Sequence, residues 1–308
     1  MDPRCIVEIR WGRLSGTKAV IPPGGALRVG RTERADLAVP HDAQLSAVHF
    51  ELQWDGRRCA LRDLESGSGT RLHGALLPGT GTGTGTGADA DAEAEVEHGG
   101  WIRAGGTDFM VYVEGRTPPP REDPADIPGR LRFHEARRQR SAEAALRELR
   151  AEAASAPLYA VLDAARGARI LELVRESVEP HRSLYEGAPG EPLEDVAPYL
   201  VGPFAPDSRL LDRLVMEGWG KRWGIYCTTP RAFRELRRHL RRFLVVEVDD
   251  TGERLYFRFF DPRVLGRFLP TCSPRQEEEL FGEIRAFFVE GQRGEVRALR
   301  PRSDDGRE

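Results

Sequence analysis

Three residues near the N-terminus, Arg31, Ser46 and His49, could take part in either of two chemistries. They lie in the segments LRVGRT, residues 27–32, and LSAVH, residues 45–49. A serine followed by a histidine suggests nucleophilic catalysis, which needs a base in reach, an orienting third group and an oxyanion hole. An arginine after an apolar run suggests anion binding, because a guanidinium presents a rigid fork of donors to phosphate oxygens. The sequence favours anion binding, since it has no Gly-x-Ser-x-Gly motif and no strand–turn–helix pattern around the serine.

The elements that would position these residues are predicted to form an all-β module. From residue 4 to about residue 115, short strand-like runs alternate with turn residues, which is typical of a sandwich or barrel. Asp55-Gly56 between two alternating runs predicts a hairpin. Residues 78–100 alternate glycine with threonine and then alanine with acid. This segment has too little apolar surface to offset the cost of ordering, so we expect a mobile inserted loop and no phosphate cradle.

The Gly-Arg pair, the Ser-x-x-His segment and the later SGSGT segment together resemble the forkhead-associated (FHA) domain over residues 4–115. In that family these motifs lie on loops at one end of a β-sandwich and bind phosphothreonine peptides. The resemblance implies one set of residues that contact the phosphopeptide: Arg31, Ser46, Ser68, Gly69 and Thr70. It also implies a set that organises the loops: Gly30, His49, His73 and Gly74. Gly30 would let the backbone turn before the arginine.

Two positions depart from the family pattern. Ser68 and His73 stand where the family usually has asparagines. A serine offers one hydroxyl in place of an amide with two donors and an acceptor, so docking of the peptide backbone should be weaker. The alternative is a module that binds without phosphate, with Arg31 exposed and Ser46 capping a turn.

The rest of the chain predicts a second domain. Residues 116–130 are a proline-rich linker, and residues 131–156 favour a partly exposed connecting helix on which Phe133, Ala136, Ala144, Ala145 and Leu149 form a weak apolar face. Residues 157–291 alternate strand-like and helical runs, which indicates a mixed α/β domain with helices near its C-terminus. Three helices should begin at the caps Thr229, Asp261 and Ser273, the last running on through Phe287 and Phe288. The polar tail, residues 292–308, should be disordered.

The second domain resembles a family long catalogued as a domain of unknown function, which accompanies bacterial type VI secretion systems as effector chaperones or adaptors. The resemblance runs from LYAVLDAA, residues 158–165, to FFVEG, residues 287–291, and FRFFDPRVL, residues 257–265, is its most specific part. It implies a non-enzymatic adaptor that binds an effector and helps to load it on the spike protein VgrG. Arg258, Asp261 and Arg263 would form a polar corner for the partner, although Asp261 also suffices as a helix cap.

Composition excludes several other classes. The formal net charge of −3 gives no global attraction to nucleic acid or anionic membranes, and only two of the 46 basic residues are lysines, so arginine clusters carry little weight. The four cysteines lack zinc spacing, and the sequence shows no signal peptide or membrane span, so we expect a cytoplasmic protein without cofactor or metal. Two alternative functions stay open. One is a phosphorylation-dependent scaffold without effector cargo, and the other is a metal-dependent hydrolase built on Asp163 and Asp261.

Overall fold

The chain forms two compact units. The computed structural model describes residues 2–10, 13–77, 93–119, 129–185, 193–247 and 254–302. Unit 1 comprises the chain up to Pro118 together with the segment Arg175–Pro180, and unit 2 comprises most of the remainder. The predicted linker comprises residues 116–130, and most of it, residues 120–128, lies outside the described residues. None of the described helices is both long enough and apolar enough to cross a bilayer.

Unit 1 is a sandwich of two β-sheets that share one apolar core. Its strands are β1 (Cys5–Ile9), β2 (Lys18–Ile21), β3 (Gly25–Gly30), β4 (Leu37–Ala38), β5 (Phe50–Trp54), β6 (Cys59–Asp63), β7 (Thr70–Leu72), β8 (Ala75–Leu76), β9 (Ala94–Val96), β10 (Gly100–Ala104) and β11 (Thr107–Val113). The sheets have the orders β2-β1-β11-β10-β7-β8 and β4-β3-β5-β6-β9. Only β3 and β4 pair in parallel among the described strands. Phe50 and Phe109, one from each sheet, pack edge to face in the core with ring centroids 5.3 Å apart, so the all-β prediction is confirmed.

The predicted hairpin at Asp55-Gly56 joins β5 to β6. Its loop is four residues long, and the Asp55 carboxylate accepts hydrogen bonds from the backbone N–H groups of Arg57 and Arg58. The inserted loop predicted over residues 78–100 is shorter than expected at its C-terminal end. Residues 78–92 lie outside the described residues, but Ala94–Val96 pairs with β6 and buries Val96 in the core. A three-residue strand is too short to show an alternating pattern in the sequence.

Unit 2 is a mixed α/β domain with three layers. Its helices are α1 (Gly129–Ser155), α2 (Ala168–Arg175), α3 (Arg209–Gly218), α4 (Phe233–Arg241), α5 (Pro262–Phe268) and α6 (Pro274–Phe281). Its strands are β12 (Leu158–Asp163), β13 (His181–Ser183), β14 (Pro198–Phe204), β15 (Gly224–Thr228), β16 (Val245–Glu247), β17 (Arg254–Tyr256), β18 (Ala286–Glu290) and β19 (Val296–Leu299). Six of them form an antiparallel sheet in the order β13-β14-β12-β15-β18-β19, and β16 and β17 form a separate two-stranded ribbon.

Both faces of the six-stranded sheet are covered by helices. Leu158, Ala160 and Leu162 of β12 share an apolar core with residues of α1, α2 and α3. Tyr159 and Val161, which point the other way because side chains alternate along a strand, share a second core with residues of α4, α5 and α6. This burial on both faces explains why β12 reads as a continuous apolar run.

The helix expected to be a partly exposed connector is instead part of a core. Ala142, Ala145 and Leu149 of α1 are fully buried in the first core of unit 2. The alanines look weak as an apolar face, but their small side chains let a helix approach its neighbours closely, and α1 packs against α3 and β12. The side chain of Phe133 lies outside the described residues.

The C-terminal segment also differs from the prediction. Helix α6 ends at Phe281, because Gly282 adopts a left-handed φ of 51°, and the chain then enters β18. Phe287 and Phe288 are thus adjacent strand residues on opposite faces, rather than residues of one helical face. The predicted disordered tail contains β19, which pairs with β18.

Two of the three predicted helix caps are present. Asp261 accepts a hydrogen bond from the backbone of Arg263 at the start of α5, and Ser273 forms a capping box with Gln276 at the start of α6. Thr229 caps no helix, since α4 begins at Phe233. Its hydroxyl instead donates to the Glu283 carbonyl and thereby links two loops.

Replacing Leu149 by alanine tests whether α1 belongs to the core of unit 2. We expect the free energy of unfolding to fall by about 2–5 kcal/mol, because the change removes buried methyl groups and leaves a cavity. Chemical denaturation of the full chain measures the loss. Arg147→Ala on the exposed side of the same helix is the control, and an equally small effect of both changes would contradict the assignment.

Candidate functional site

The predicted recognition residues lie at one end of the sandwich in unit 1. Three segments, called the recognition loops below, converge there: residues 31–36, 39–49 and 64–69. The first two are joined by the backbone, since the N–H of Arg31 donates to the Ser46 carbonyl at 2.9 Å and the N–H of Thr32 donates to the Ala47 carbonyl at 3.2 Å. Arg31 and Ser46, fifteen residues apart in sequence, are thereby held side by side.

Gly30 permits this approach, for a reason other than the turn we expected. A Cβ atom at position 30 would lie 2.4 Å from the Ala47 carbonyl oxygen and 2.8 Å from the Val48 Cα. Backbone atoms cannot swing aside as a flexible side chain can, so any larger residue would push the two loops apart. The glycine is required by close packing of two backbones and not by an unusual φ.

His49 joins the second recognition loop to the third. Its side chain is fully buried, with Nδ1 accepting from the Ser46 backbone N–H at 3.1 Å and Nε2 lying 3.2 Å from the Gly69 carbonyl oxygen. Both contacts are satisfied together by the neutral ring that carries its proton on Nε2. Burial lowers the pKa of His49, although the Gly69 carbonyl opposes this shift. This geometry fits the organising role that the resemblance implies.

The two serines of the site have different surroundings. The Ser46 hydroxyl oxygen accepts a hydrogen bond from the Gly67 backbone N–H at 3.0 Å, which leaves its proton available to a ligand. Ser68 is exposed, and its hydroxyl donates to the Gln44 carbonyl at 3.0 Å. Ser68 therefore links two recognition loops through its side chain and has only its oxygen lone pairs left for a ligand.

Thr70, predicted to contact the ligand, instead belongs to the internal support of the third loop. It is fully buried, and its hydroxyl donates to the Asp63 carboxylate at 2.5 Å. The same carboxylate accepts from the backbone N–H and the hydroxyl of Ser66, and the Ser66 oxygen accepts from the Gly69 N–H. Gly69 has a left-handed φ of 74° and offers its carbonyl to His49. Gly69 and Thr70 therefore stabilise the third loop through internal hydrogen bonds.

Sequence reasoning missed Asp63 and a second buried carboxylate, Asp42. The Asp42 carboxylate accepts from Gln44 N–H, Gly106 N–H and the Thr107 hydroxyl. Burial opposes ionisation of Asp42, but these hydrogen bonds prevail and hold its pKa below the usual value. An aspartate at the end of a strand, followed by a serine three residues later, is a turn-forming signal that could have identified Asp63.

His73 and Gly74 form the two-residue turn between β7 and β8. Both have left-handed φ values, 50° and 86°, which is the backbone conformation that an Asn-Gly pair favours in this type of turn. His73 also donates its backbone N–H to the Trp101 carbonyl. The turn is thus retained without the asparagine, and no hydrogen bond links His73 to the recognition loops within the described residues.

Arg31 is one of several charged residues that the recognition loops present to solvent, together with Glu33, Arg34, Asp36 and Glu65. The Arg31 guanidinium has no ion-pair or hydrogen-bond partner among the described residues. Its planar guanidinium and the hydroxyl of Ser46, whose backbone bonds to that of Arg31, are both donors suited to a tetrahedral anion. The arrangement does not suit nucleophilic catalysis, because the His49 ring bonds to the backbone of Ser46 and not to its hydroxyl.

The polar corner predicted in unit 2 is a chain of alternating charges, called the acid–arginine cluster below. Its members are Arg258, Asp163, Arg166, Asp261 and Arg263. Arg258 contacts Asp163 at 2.5 Å, Arg166 lies between the two aspartates at 3.2 and 2.8 Å, and Arg263 contacts Asp261 at 2.7 Å. Both aspartates are buried, whereas Arg258 and Arg263 are about half exposed.

The structure therefore brings Asp163 and Asp261 together, as the hydrolase alternative requires, but surrounds them with cations. Burial opposes ionisation of Asp261, yet hydrogen bonds from Arg263 and the charge of Arg166 hold its pKa below the usual value. Three guanidinium groups bond to Asp163 Oδ2 and to both oxygens of Asp261, which are ligands that a metal ion would need. The pair stabilises local structure and is poorly suited to metal-dependent catalysis.

Comparison with protein families agrees with this division of the chain. Residues 27–82 match the model of the FHA domain, and residues 158–279 match the model of a domain of unknown function, DUF4123. The chain carries an FHA domain followed by a DUF4123 domain. The FHA match contains all nine residues that we predicted for phosphopeptide binding and loop organisation. The DUF4123 match contains the whole acid–arginine cluster.

Several solved FHA domains are similar to this FHA domain. That of an Arabidopsis thaliana hypothetical protein shares 24% identity, over 39% of this chain and 92% of that one, with a TM-score of 0.31. That of the Chlamydia trachomatis protein CT664 shares 16%, over 35% and 96%, with a TM-score of 0.29. The first FHA domain of Rv1747 from Mycobacterium tuberculosis shares 22%, over 37% and 98%, with a TM-score of 0.28. No curated protein sequence matches the chain.

The buried His49 makes the stability of the FHA domain depend on pH. Because the folded protein holds its pKa below the ordinary 6.5, the unfolded chain binds more protons just below pH 6.5. The free energy of unfolding should therefore rise with pH through the window below 6.5 and level off above it. Chemical denaturation at about pH 5.5 and about pH 7.5 measures this difference. It should shrink in His49→Gln, and an unchanged difference would contradict the assignment.

Proposed function

We propose that this protein is a non-enzymatic adaptor of bacterial type VI secretion with two protein-binding domains. Its FHA domain binds a phosphothreonine-containing segment of one partner. Its DUF4123 domain binds a secreted effector in the cytoplasm and helps to load that effector on the VgrG spike. The two activities have separate structural support and separate tests.

The phosphate-binding half rests on one observation: Arg31 is exposed and unpaired among the described residues, and its backbone bonds to that of Ser46. The backbone bond from Arg31 to Ser46 holds the two backbones together, and the Gly67 N–H on the Ser46 oxygen holds the serine hydroxyl before any ligand arrives. Preorganisation of this kind reduces the entropy lost on binding. A phosphate would accept from the guanidinium and from the serine hydroxyl, whereas the module without phosphate recognition would leave both donors unused.

Ser68 changes how the peptide itself is held. Its hydroxyl proton already goes to the Gln44 carbonyl, so Ser68 can only accept a hydrogen bond from a peptide N–H. The family's asparagine could donate and accept at once. Affinity should therefore depend more on the phosphate and less on the peptide backbone than the family pattern implies.

The adaptor half rests on the DUF4123 match and on the role that the family resemblance implies. The acid–arginine cluster supports a binding role over a catalytic one, because its carboxylates are neutralised and its outer arginines are half exposed. The scaffold without effector cargo shares the phosphate-binding half of the proposal. It differs only in what the DUF4123 domain binds, so recovery of cargo separates the two.

Arg31→Ala tests phosphate recognition. We expect affinity for a phosphothreonine peptide to fall at least about tenfold, because a hydrogen-bonded charge pair is lost. Fluorescence anisotropy with phosphorylated and unphosphorylated forms of one peptide measures it. Arg57→Ala is a control of equal charge change on the β5–β6 hairpin, at the opposite end of the sandwich. Phosphate-independent binding that both variants retain would contradict the proposal.

Co-purification tests the adaptor function. The full chain, recovered from producing cells, should bring down a toxin-like effector and VgrG, identified by mass spectrometry. Arg31→Ala should still recover the effector, because the recognition loops belong to the other domain, while losing any phosphorylated partner. Recovery of phosphorylated partners without effector or spike would favour the signalling scaffold instead.

A further inference from the structure

The ribbon formed by β16 and β17 exposes apolar side chains. Val245 of β16 and Tyr256 of β17 face each other across it, with 42% and 45% of their surface exposed. Leu255, the residue before Tyr256 in β17, is 45% exposed. A two-stranded ribbon is only marginally stable by itself and gains from an added strand. Neither β16 nor β17 pairs with any further strand in the part of the chain that the structure describes.

The ribbon also has backbone groups that point outward. Across it, the N–H of Phe257 donates to the Leu244 carbonyl at 2.9 Å. In an antiparallel ladder such hydrogen-bonded pairs alternate with pairs whose N–H and C=O groups point away. The next pair, Val245 and Tyr256, therefore directs its backbone groups to the two edges. Outward groups of this kind form a template for pairing with another extended chain.

Positive charge lies beside the ribbon. Arg258 follows Tyr256 by two residues and stands above the Phe260 ring at 5.8 Å, with 43% of its side chain exposed. One terminal nitrogen of Arg258 donates to the Asp163 carboxylate. Its Nε and its other terminal nitrogen have no partner among the described residues. The acid–arginine cluster contains three guanidinium groups and two carboxylates, so it keeps an excess positive charge.

We propose that the β16–β17 ribbon, together with Arg258, is a docking surface for an extended polypeptide segment in which acidic and apolar residues alternate. Such a segment adds to the edge of β17. Its apolar side chains lie beside Leu255 on one face, and its carboxylates lie beside Arg254 and Arg258 on the face that carries Tyr256. The surface rests on the proposed adaptor function for the identity of the partner, but its docking chemistry does not depend on it.

The docking chemistry is tested with a fluorescein-labelled peptide of about eight residues that alternates glutamate and valine. The full chain should bind it in a salt-sensitive manner, because the charges are exposed. A version with N-methyl groups along one edge keeps every side chain but cannot pair, and it should bind at least about tenfold more weakly. No binding by the wild type, or equal binding of a lysine–valine peptide, would overturn the proposal.

Variants of the protein locate the surface. Arg258→Gln should weaken binding about tenfold or more. Leu255→Ser, on the opposite face and outside the acid–arginine cluster, should weaken it independently of any effect on Asp163. Arg267→Gln on α5 is exposed and matches the charge change, and it should bind like the wild type. If Arg258→Gln and Leu255→Ser both bind like the wild type, the surface is elsewhere and the proposal fails.

The same variants separate this proposal from the adaptor function. If Arg258→Gln and Leu255→Ser recover the effector and bind the peptide as well as the wild type does, the adaptor function stands and the docking surface is wrong. If the wild type recovers no effector but its peptide binding depends on both residues, the surface stands and the partner is a different protein. Arg258-dependent binding of phosphatidylserine vesicles or of an oligonucleotide, without peptide binding, would overturn the assignment to a polypeptide.

Discussion

The recognition end of the FHA domain depends on the buried imidazole of His49. One ring nitrogen holds the backbone of the loop that carries Ser46, and the other holds the loop that carries Gly69. A buried ring with both nitrogens satisfied can take only one tautomer and one orientation. The relative positions of the two loops, and hence the geometry of the proposed phosphate site, depend on that buried side chain.

Other buried groups extend the same principle. Asp63 and Asp42 each accept several hydrogen bonds from loop backbone and hydroxyl groups, and Gly30 allows the Ala47 backbone to approach within contact distance. The loops therefore owe their shape to internal polar contacts, while Arg31 is left to solvent. In the proposed site these buried residues shape the loops, and the exposed residues are the ones that would meet the ligand.

The DUF4123 domain solves a different physical problem. Its central sheet is antiparallel, yet helices cover both faces, so the central strand β12 is apolar on both sides. Two of its buried carboxylates lie where the sheet meets the loops: Asp163 ends β12, and Asp261 caps the start of α5. At that boundary the two buried carboxylates require compensation, and three arginines provide it. Because buried charges without partners are costly, this cluster is a structural necessity that also presents cationic groups at the surface.

Much of this protein followed from its sequence alone. Short apolar runs between turn residues indicated the all-β domain, and the order of Gly30, Arg31, Ser46 and His49 carried its resemblance to the FHA domain. The mixed α/β domain and the caps at Asp261 and Ser273 followed from local patterns, since a cap involves residues only a few positions apart. The position of Phe287 and Phe288 did not follow, because a fully buried strand and a buried helix face give similar apolar runs.

What the tertiary structure decided were the contacts between segments distant in sequence. The core position of the alanines of α1 beside α3, and the contact of His49 with the Gly69 carbonyl twenty residues later, both depend on neighbours that local patterns do not reveal. The same holds for Asp163 and Asp261, nearly a hundred residues apart, which share Arg166. The sequence determined which groups could bind an anion or cap a helix. Packing decided which of them remain available, because buried donors and acceptors form internal hydrogen bonds that cannot be read from the sequence.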